Sequence, residues 1–242
     1  MIQNDISNKI KNIMAISLIG ILLFCISFSY QIQVNASSLL KVYFIDVGQG
    51  SAILVQSNDK NTLIDTGDEK YYNKLDAFLS NNQINSIDQI VLTHNDPDHV
   101  GNVDRLIKTR KVGTVIQSKY GYKKNASTKD VKELNAAVSK YHTKTVKVKK
   151  GNKIDFGCGM KGEVLSPWKN YKKVNQTSLV IKLIYKKYSY LFTGDIYSSN
   201  EKELIKKYNV KSTVLQIPHH GSYTSSSEAF LKKVNAKYAV IS

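Results

Sequence analysis

From Leu40 onward the chain alternates short apolar runs, rich in Val, Ile, Tyr and Phe, with amphipathic stretches. Short apolar runs between polar or glycine-containing segments predict strands; apolar residues three and four apart predict helices. Strands are expected at Val42–Asp46, Ala52–Gln56, Thr62–Asp65, Gln89–Leu92, Thr114–Ile116, Thr145–Val148, Gly162–Leu165, Leu179–Tyr185, Ser189–Phe192, Val214–Ile217 and Tyr238–Ile241. Helices are expected at Tyr72–Ser80, His99–Lys108, Lys129–Tyr141, Glu201–Tyr208 and Ser226–Val234. The first strands follow one another as closely as hairpins, while later ones alternate with helices. That order predicts an α+β domain of packed sheets with helices outside, not a purely parallel doubly wound sheet. No internal repeat, low-complexity tract or Pro-rich linker interrupts it. The last run, Tyr238–Ile241, reads as a buried strand with no polar tail after it, and a C-terminal truncation of a longer domain is expected.

The N-terminal segment follows a different pattern. Lys9 and Lys11 precede an apolar run from Ile13 to Tyr30, followed by Val34-Asn35-Ala36. A positive start, an apolar middle and a small-residue cut site predict a signal peptide over residues 1–36. Left uncleaved, the run nears the lower length for a membrane anchor. The chain is therefore expected to be secreted or extracellular, and membrane-associated if the segment is retained. Residues 37–242 suffice for one domain with a real core. Cys25 lacks the small residues of a lipoprotein site. Cys158 is then the one remaining cysteine, which excludes an intrachain disulfide, and it reads as a partly buried bystander in a Gly157–Gly159 turn.

Charge adds a weaker signal. The formal net charge of +16 suggests a polyanionic partner such as nucleic acid, anionic cell-wall polymer or a membrane surface. Arg105 and Arg110 are the arginines, and the rest of the positive charge is lysine. Dedicated phosphate recognition usually also recruits the arginine fork.

The histidines carry more. Four of the five fall in two motifs, each directly after an apolar run: His94-Asn95-Asp96-Pro97-Asp98-His99, and Pro218-His219-His220-Gly221-Ser222. A third run enters Thr193-Gly194-Asp195. Strand ends supported by a sheet are where pocket-forming loops gather. In the first motif His94 and Asp96, two apart on an extended segment, project to one side. Pro97 suits a first helical turn, which brings Asp98 and His99 to its beginning. Imidazole nitrogens and carboxylate oxygens are zinc ligands, and closely spaced carboxylates favour a cation between them. Each motif alone has an ordinary explanation as a helix cap or a turn. Three together at three strand ends predict a metal site. His142 closes a helix, where a histidine complements the dipole, and reads as structural.

At these residues the chain resembles the metallo-β-lactamase superfamily, and within it the soluble domain of the DNA-internalisation competence protein ComEC and its stand-alone relatives. Also carrying the resemblance are Phe44-Ile45-Asp46-Val47-Gly48-Gln49-Gly50-Ser51, Leu63-Ile64-Asp65-Thr66-Gly67 and Asn175-Gln176-Thr177-Ser178-Leu179-Val180. The resemblance implies an αββα sandwich with its site along one edge of the sheets, and two Zn2+ ions, with Mn2+ as an alternative. It assigns His94, Asp96 and a bridging Asp195 to one metal, and Asp98, His99, Asp195 and one of His219 and His220 to the other. His220 is favoured as the ligand and His219 as an acid beside the substrate, although the sequence does not separate them. Asp98 is also expected to orient the attacking water, and Asp65 to order the metal loop from behind. Gly48-Gln49-Gly50 is implied to be a tight turn. The chain departs from the wider superfamily in having Asp96 at a usual histidine position and Asn175 at the third ligand motif.

The expected activity is hydrolysis of a phosphodiester, single-stranded DNA or anionic wall polymer among the candidates. Trp168-Lys169-Asn170-Tyr171-Lys172-Lys173 is a candidate base-stacking or phosphate-holding loop, with a solvated loop and an inward Trp168 as the alternative. Competing functions are hydrolysis of choline-phosphate or a similar phosphoester on wall polymer, or a catalytically silent polyanion-binding module.

Overall fold

The computed structural model describes residues 40–58, 60–121 and 128–242. The segment read as a signal peptide or anchor lies outside them. Among the described residues twelve strands form two six-stranded sheets. In the first, β1 (Lys41–Phe44), β2 (Ile53–Ser57) and β3 (Lys60–Ile64) run antiparallel, and β4 (Ser86–Leu92), β5 (Lys111–Ser118) and β6 (Lys144–Val148) continue in parallel. The second repeats the plan. β7 (Lys153–Asp155), β8 (Lys161–Ser166), β9 (Val180–Tyr185) and β10 (Tyr188–Phe192) are antiparallel, followed in parallel by β11 (Val214–Gln216) and β12 (Tyr238–Val240).

The period of two along each strand explains the layering. Ile53, Val55, Ile64, Val91, Ile116, Ile181 and Phe192 point between the sheets and make the central core. Their neighbours Leu54, Leu63, Ile90 and Val115 point outward. They meet Leu75 of α1 (Tyr72–Asn81), Leu106 of α3 (Val103–Thr109) and Leu134 of α4 (Lys129–Lys140). On the opposite outer face Val180, Leu191 and Leu215 pack with Leu204 of α5 (Ser198–Lys207) and Phe230 of α6 (Glu228–Val234). Helix, sheet, sheet, helix is therefore the order of layers. Strands buried on both faces read as near-continuous apolar runs, which is why they were legible in the sequence. Each such side chain fully buried contributes roughly 1.5–3 kcal/mol.

Three elements differ from expectation. β12, read from the sequence as a buried strand, is an edge strand with Tyr238 and Ala239 exposed. β7 was not anticipated, because Lys153-Ile154-Asp155 offers a single apolar residue. The helix expected over His99–Lys108 is two pieces, α2 (Pro97–Val100) and α3, with Gly101 and Asn102 between. The Asn102 side chain donates to the carbonyls of Thr66 and Asp68 at 2.7 and 2.9 Å, anchoring the break to the loop after β3. Cys158 is exposed, correcting its expected partial burial. No helix among the described residues is long and apolar enough to cross a membrane.

Candidate metal centre

Four strand ends meet at one edge of the two sheets. β3 runs into Asp65, β4 into Thr93 and His94, β10 into Thr193-Gly194-Asp195, and β11 into the turn Pro218–Gly221. Asp96 precedes α2 in an extended conformation (φ −79°, ψ 149°), and its carboxylate makes no capping bond to that helix. One of its oxygens lies 3.5 Å from His94 Nε2.

Asp195, nearly fully buried, is the hub. Its carboxylate oxygens lie 3.2 Å from His99 Nε2, 3.3 Å from His220 Nε2 and 3.9 Å from His94 Nε2. Asp98 approaches His220 Nε2 at 3.3 Å, and the Nε2 atoms of His99 and His220 are 3.3 Å apart. Ligand atoms of His94, His99 and Asp195 lie within 4.8 Å of one another, as do those of Asp98, His99 and His220. His99 thus belongs to both groups.

The two neighbouring histidines separate clearly. His219 and His220 both adopt left-handed backbone (φ 52° each), a costly conformation for residues other than glycine. The turn is held by Ser225 Oγ, which donates to the Pro218 carbonyl at 2.9 Å. As a result His220 enters the cluster, with Nδ1 2.9 Å from the Ser242 backbone oxygen. His219 stays at the rim, with Nδ1 2.8 Å from Thr224 Oγ1 and its ring beside Tyr197.

Supporting groups set these positions. Asp65 accepts from Thr93 N at 2.7 Å and Thr93 Oγ1 at 2.8 Å, and its Oδ2 is 2.8 Å from His99 Nδ1. That contact turns His99 Nε2 toward the centre. Gly50 has φ +122°, and a Cβ there would stand 2.5 Å from the Asp98 carbonyl. The turn expected between the opening strands is therefore also the floor of the metal loop. Sequence reasoning missed Gln216, whose Oε1 accepts from the backbone N–H groups of Thr193 and Gly194 and so seats Asp195. Asn175 is buried at the start of a short turn, Asn175–Thr177. Trp168 stacks on Tyr208 and packs on the outer core, so it is not an open platform for a base. His142 is exposed just after α4, and among the described residues it belongs to no group of clustered ligands.

The electrostatics fit a cation. His94 Nε2 is buried with no hydrogen-bond partner, an arrangement that is costly without a ligand. Burial would raise the Asp195 pKa, but the adjacent His99 and His220 outweigh it and hold it far below the carboxylate range. Asp98 is also lowered, because His220 and His99 overcome its burial. Burial opposes protonation of His99, yet Asp195 and Asp65 push it well up. For His220, hydrogen bonds to Asp195 and Asp98 overcome burial and push the pKa up to about 10. In the metal-free protein, protons on these imidazoles stand where a cation would bind. Burial pushes His219 down.

A pH dependence follows. A histidine whose folded pKa is raised from 6.5 to about 10 stabilises the fold fully below 6.5 and loses that contribution as pH climbs toward 10. Metal-free protein is expected to lose thermal stability between pH 6.5 and 10, as read by its melting temperature in chelator. A melting temperature flat or rising over that window would contradict the pairing.

A family model described as the metallo-beta-lactamase superfamily matches residues 45–242. Over 226 residues the chain is 31% identical to ComE operon protein 3 of Bacillus subtilis, covering 85% of this chain and 28% of that protein. Over 230 residues it is 30% identical to Recombination protein 2 of Haemophilus influenzae, covering 92% and 26%. The chain thus spans little more than a quarter of these relatives. Among solved structures, the metallo-beta-lactamase fold protein YhfI from Bacillus subtilis superposes with a TM-score of 0.54 at 14% identity, covering 84% of this chain and 87% of that one. BJP-1, a subclass B3 metallo-beta-lactamase of Bradyrhizobium japonicum, gives 0.55 at 14%, covering 81% and 88%. At such identities these two speak for the fold alone.

Proposed function

The chain belongs to the metallo-beta-lactamase superfamily, whose members are generally metal-dependent hydrolases, and on that premise we propose that it is an exported phosphodiesterase with a dinuclear zinc site. The observation that carries this reading is the convergence of His94, Asp98, His99, Asp195 and His220, with the buried Nε2 of His94 making no hydrogen bond. His94, Asp96 and Asp195 would hold one ion, and Asp98, His99, Asp195 and His220 the other, His99 lying close to both groups.

Ions held there supply Lewis acidity, polarising a phosphoryl oxygen and easing the ionisation of a water. The chain's own residues do the rest. Asp98, kept as a carboxylate, accepts a hydrogen bond from the attacking water and aims it at phosphorus. His219, fixed by Thr224 at the rim and with its pKa lowered by burial, offers a hydrogen bond to the leaving oxygen, which takes its proton from solvent. Two relatives bear the names Recombination protein 2 and Competence protein ComA, which supports nucleic acid as the substrate class.

Zinc counting and turnover test the reading together. Purified protein is expected to carry about two metals per chain and to hydrolyse bis-(p-nitrophenyl) phosphate and single-stranded DNA, with loss in chelator. Asp98→Ala should lower kcat about a hundredfold. Folded, metal-free, inactive protein would sink the hydrolase reading and leave a polyanion-binding module. Export predicts a mature chain beginning at Ser37 in the culture medium; an intact N-terminus confined to the cytosol would refute it.

A further inference from the structure

A cavity of about 330 Å3 opens beside the metal centre, with His94 as part of its wall. It lies over the ends of β5 and β6, next to α4. Gln117 of β5 pairs in register with Lys147 of β6, so both side chains stand on the same face of the sheet. Lys119 is two residues beyond Gln117 and returns to that face. Both lysines and Tyr120 line the cavity, with Asn95 and Asn135 adding amides. Among the described residues no carboxylate lines it. The contrast with the neighbouring cluster is sharp, since Asp96 and Asp195 approach His94 itself at 3.5 and 3.9 Å.

A cavity of positive charge and a carboxylate cluster that share one histidine suit a substrate with two anionic groups in sequence. A cation-holding cluster takes the phosphate to be cleaved; ammonium groups take the next. Lysines act here as point charges, without the planar fork that reads base edges. Tyr120 offers a ring beside them, the pairing of aromatic and positive charge used for single strands. A second aromatic is Tyr223, 98% exposed in the loop that carries His219 and His220. Rings in the cavity wall and on the histidine loop favour nucleic acid over a glycerol- or ribitol-based wall polymer, which has no bases to stack.

We propose that this cavity is the subsite for the nucleotide next to the scissile phosphate, with Lys119 and Lys147 holding its phosphate and Tyr120 its base. The identity of the neighbouring group rests on the phosphodiesterase reading; anion binding in the cavity does not. The chain therefore prefers a polymeric substrate to an isolated diester.

Two measurements separate these layers. In the first, metal-free protein is titrated with a fluorescent single-stranded 12-mer between 50 and 300 mM salt. The Lys119→Ala/Lys147→Ala variant should bind about tenfold more weakly at 100 mM. Its slope of log K against log salt should be shallower by about 1.4, close to 0.7 for each lost contact. Arginine at both positions should restore the slope. In the second, the metal-loaded variant should show a raised KM on the 12-mer, and its kcat/KM should fall further on the 12-mer than on bis-(p-nitrophenyl) phosphate. Both lysines are exposed, so thermal stability should not move. Wild-type protein that does not bind the 12-mer, or a variant with wild-type slope and KM, overturns the subsite. A larger loss on poly(glycerol phosphate) than on the 12-mer overturns the nucleotide assignment. Absence of any turnover with lysine-dependent binding retained removes the phosphodiesterase reading alone.

Discussion

Asp195→Asn is expected to lower kcat by about three orders of magnitude, near 4 kcal/mol of transition-state stabilisation, and to reduce bound metal below one ion per chain. The substitution keeps the side chain's size and removes its charge. Asp195 touches all three clustered imidazoles, at 3.2, 3.3 and 3.9 Å, so no other carboxylate of the site does the same work. Its placement does not depend on its charge: the Asp195 backbone N–H donates to Ser178 Oγ at 3.2 Å, and Gln216 holds the two preceding residues. The variant should therefore fold. Metal-free, it should also show less of the stability loss between pH 6.5 and 10, because Asp195 is a leading cause of the raised His99 and His220 values. Elemental analysis, turnover and melting in chelator read the three effects. Full metal content with turnover within tenfold of wild type would remove Asp195 from the centre.

Asp65→Ala is expected to cost about 3–5 kcal/mol of stability and to weaken metal binding about 10–100-fold. Asp65 is fully buried and satisfies three donors from two residues, so alanine leaves Thr93 N–H, Thr93 O–H and His99 Nδ1 without their acceptor. Each buried donor left unsatisfied costs about 1–3 kcal/mol. Alanine would also meet the left-handed backbone at this position, φ 57°, which aspartate and asparagine tolerate better. Asp65→Asn separates the two effects. It keeps the conformational tolerance and one acceptor oxygen, so stability should recover in part while metal affinity stays depressed. Urea unfolding of metal-free protein and competition with a chromophoric chelator give both numbers. An Asp65→Ala variant within 1 kcal/mol of wild type would mean that His99 is oriented by something else.

The elements least legible in the sequence are those decided by distant contacts. The break between α2 and α3 has a local warning in Gly101-Asn102, but its cause is Asn102 bonding to the loop after β3, some 35 residues earlier in the chain. Trp168 among lysines looks like a stacking loop, and only the fold reveals Tyr208 and the outer core beneath it. Gly48-Gln49-Gly50 read as a local turn, and the closeness of Gly50 to the Asp98 carbonyl is invisible until the sheet is assembled.

By itself the sequence determined the α+β layering, the strand ends that carry chemistry, and the donor types gathered there. These are local properties: burial on both faces writes apolar runs into a strand, and ligand atoms need imidazole or carboxylate wherever they sit. Tertiary structure alone decided which histidine of the pair turns inward, which acceptor orients His99, and that a lysine-lined cavity adjoins His94. Each depends on the register of strands and the backbone path of turns, where residues far apart in the chain come within a few ångströms and one dihedral angle redirects a side chain.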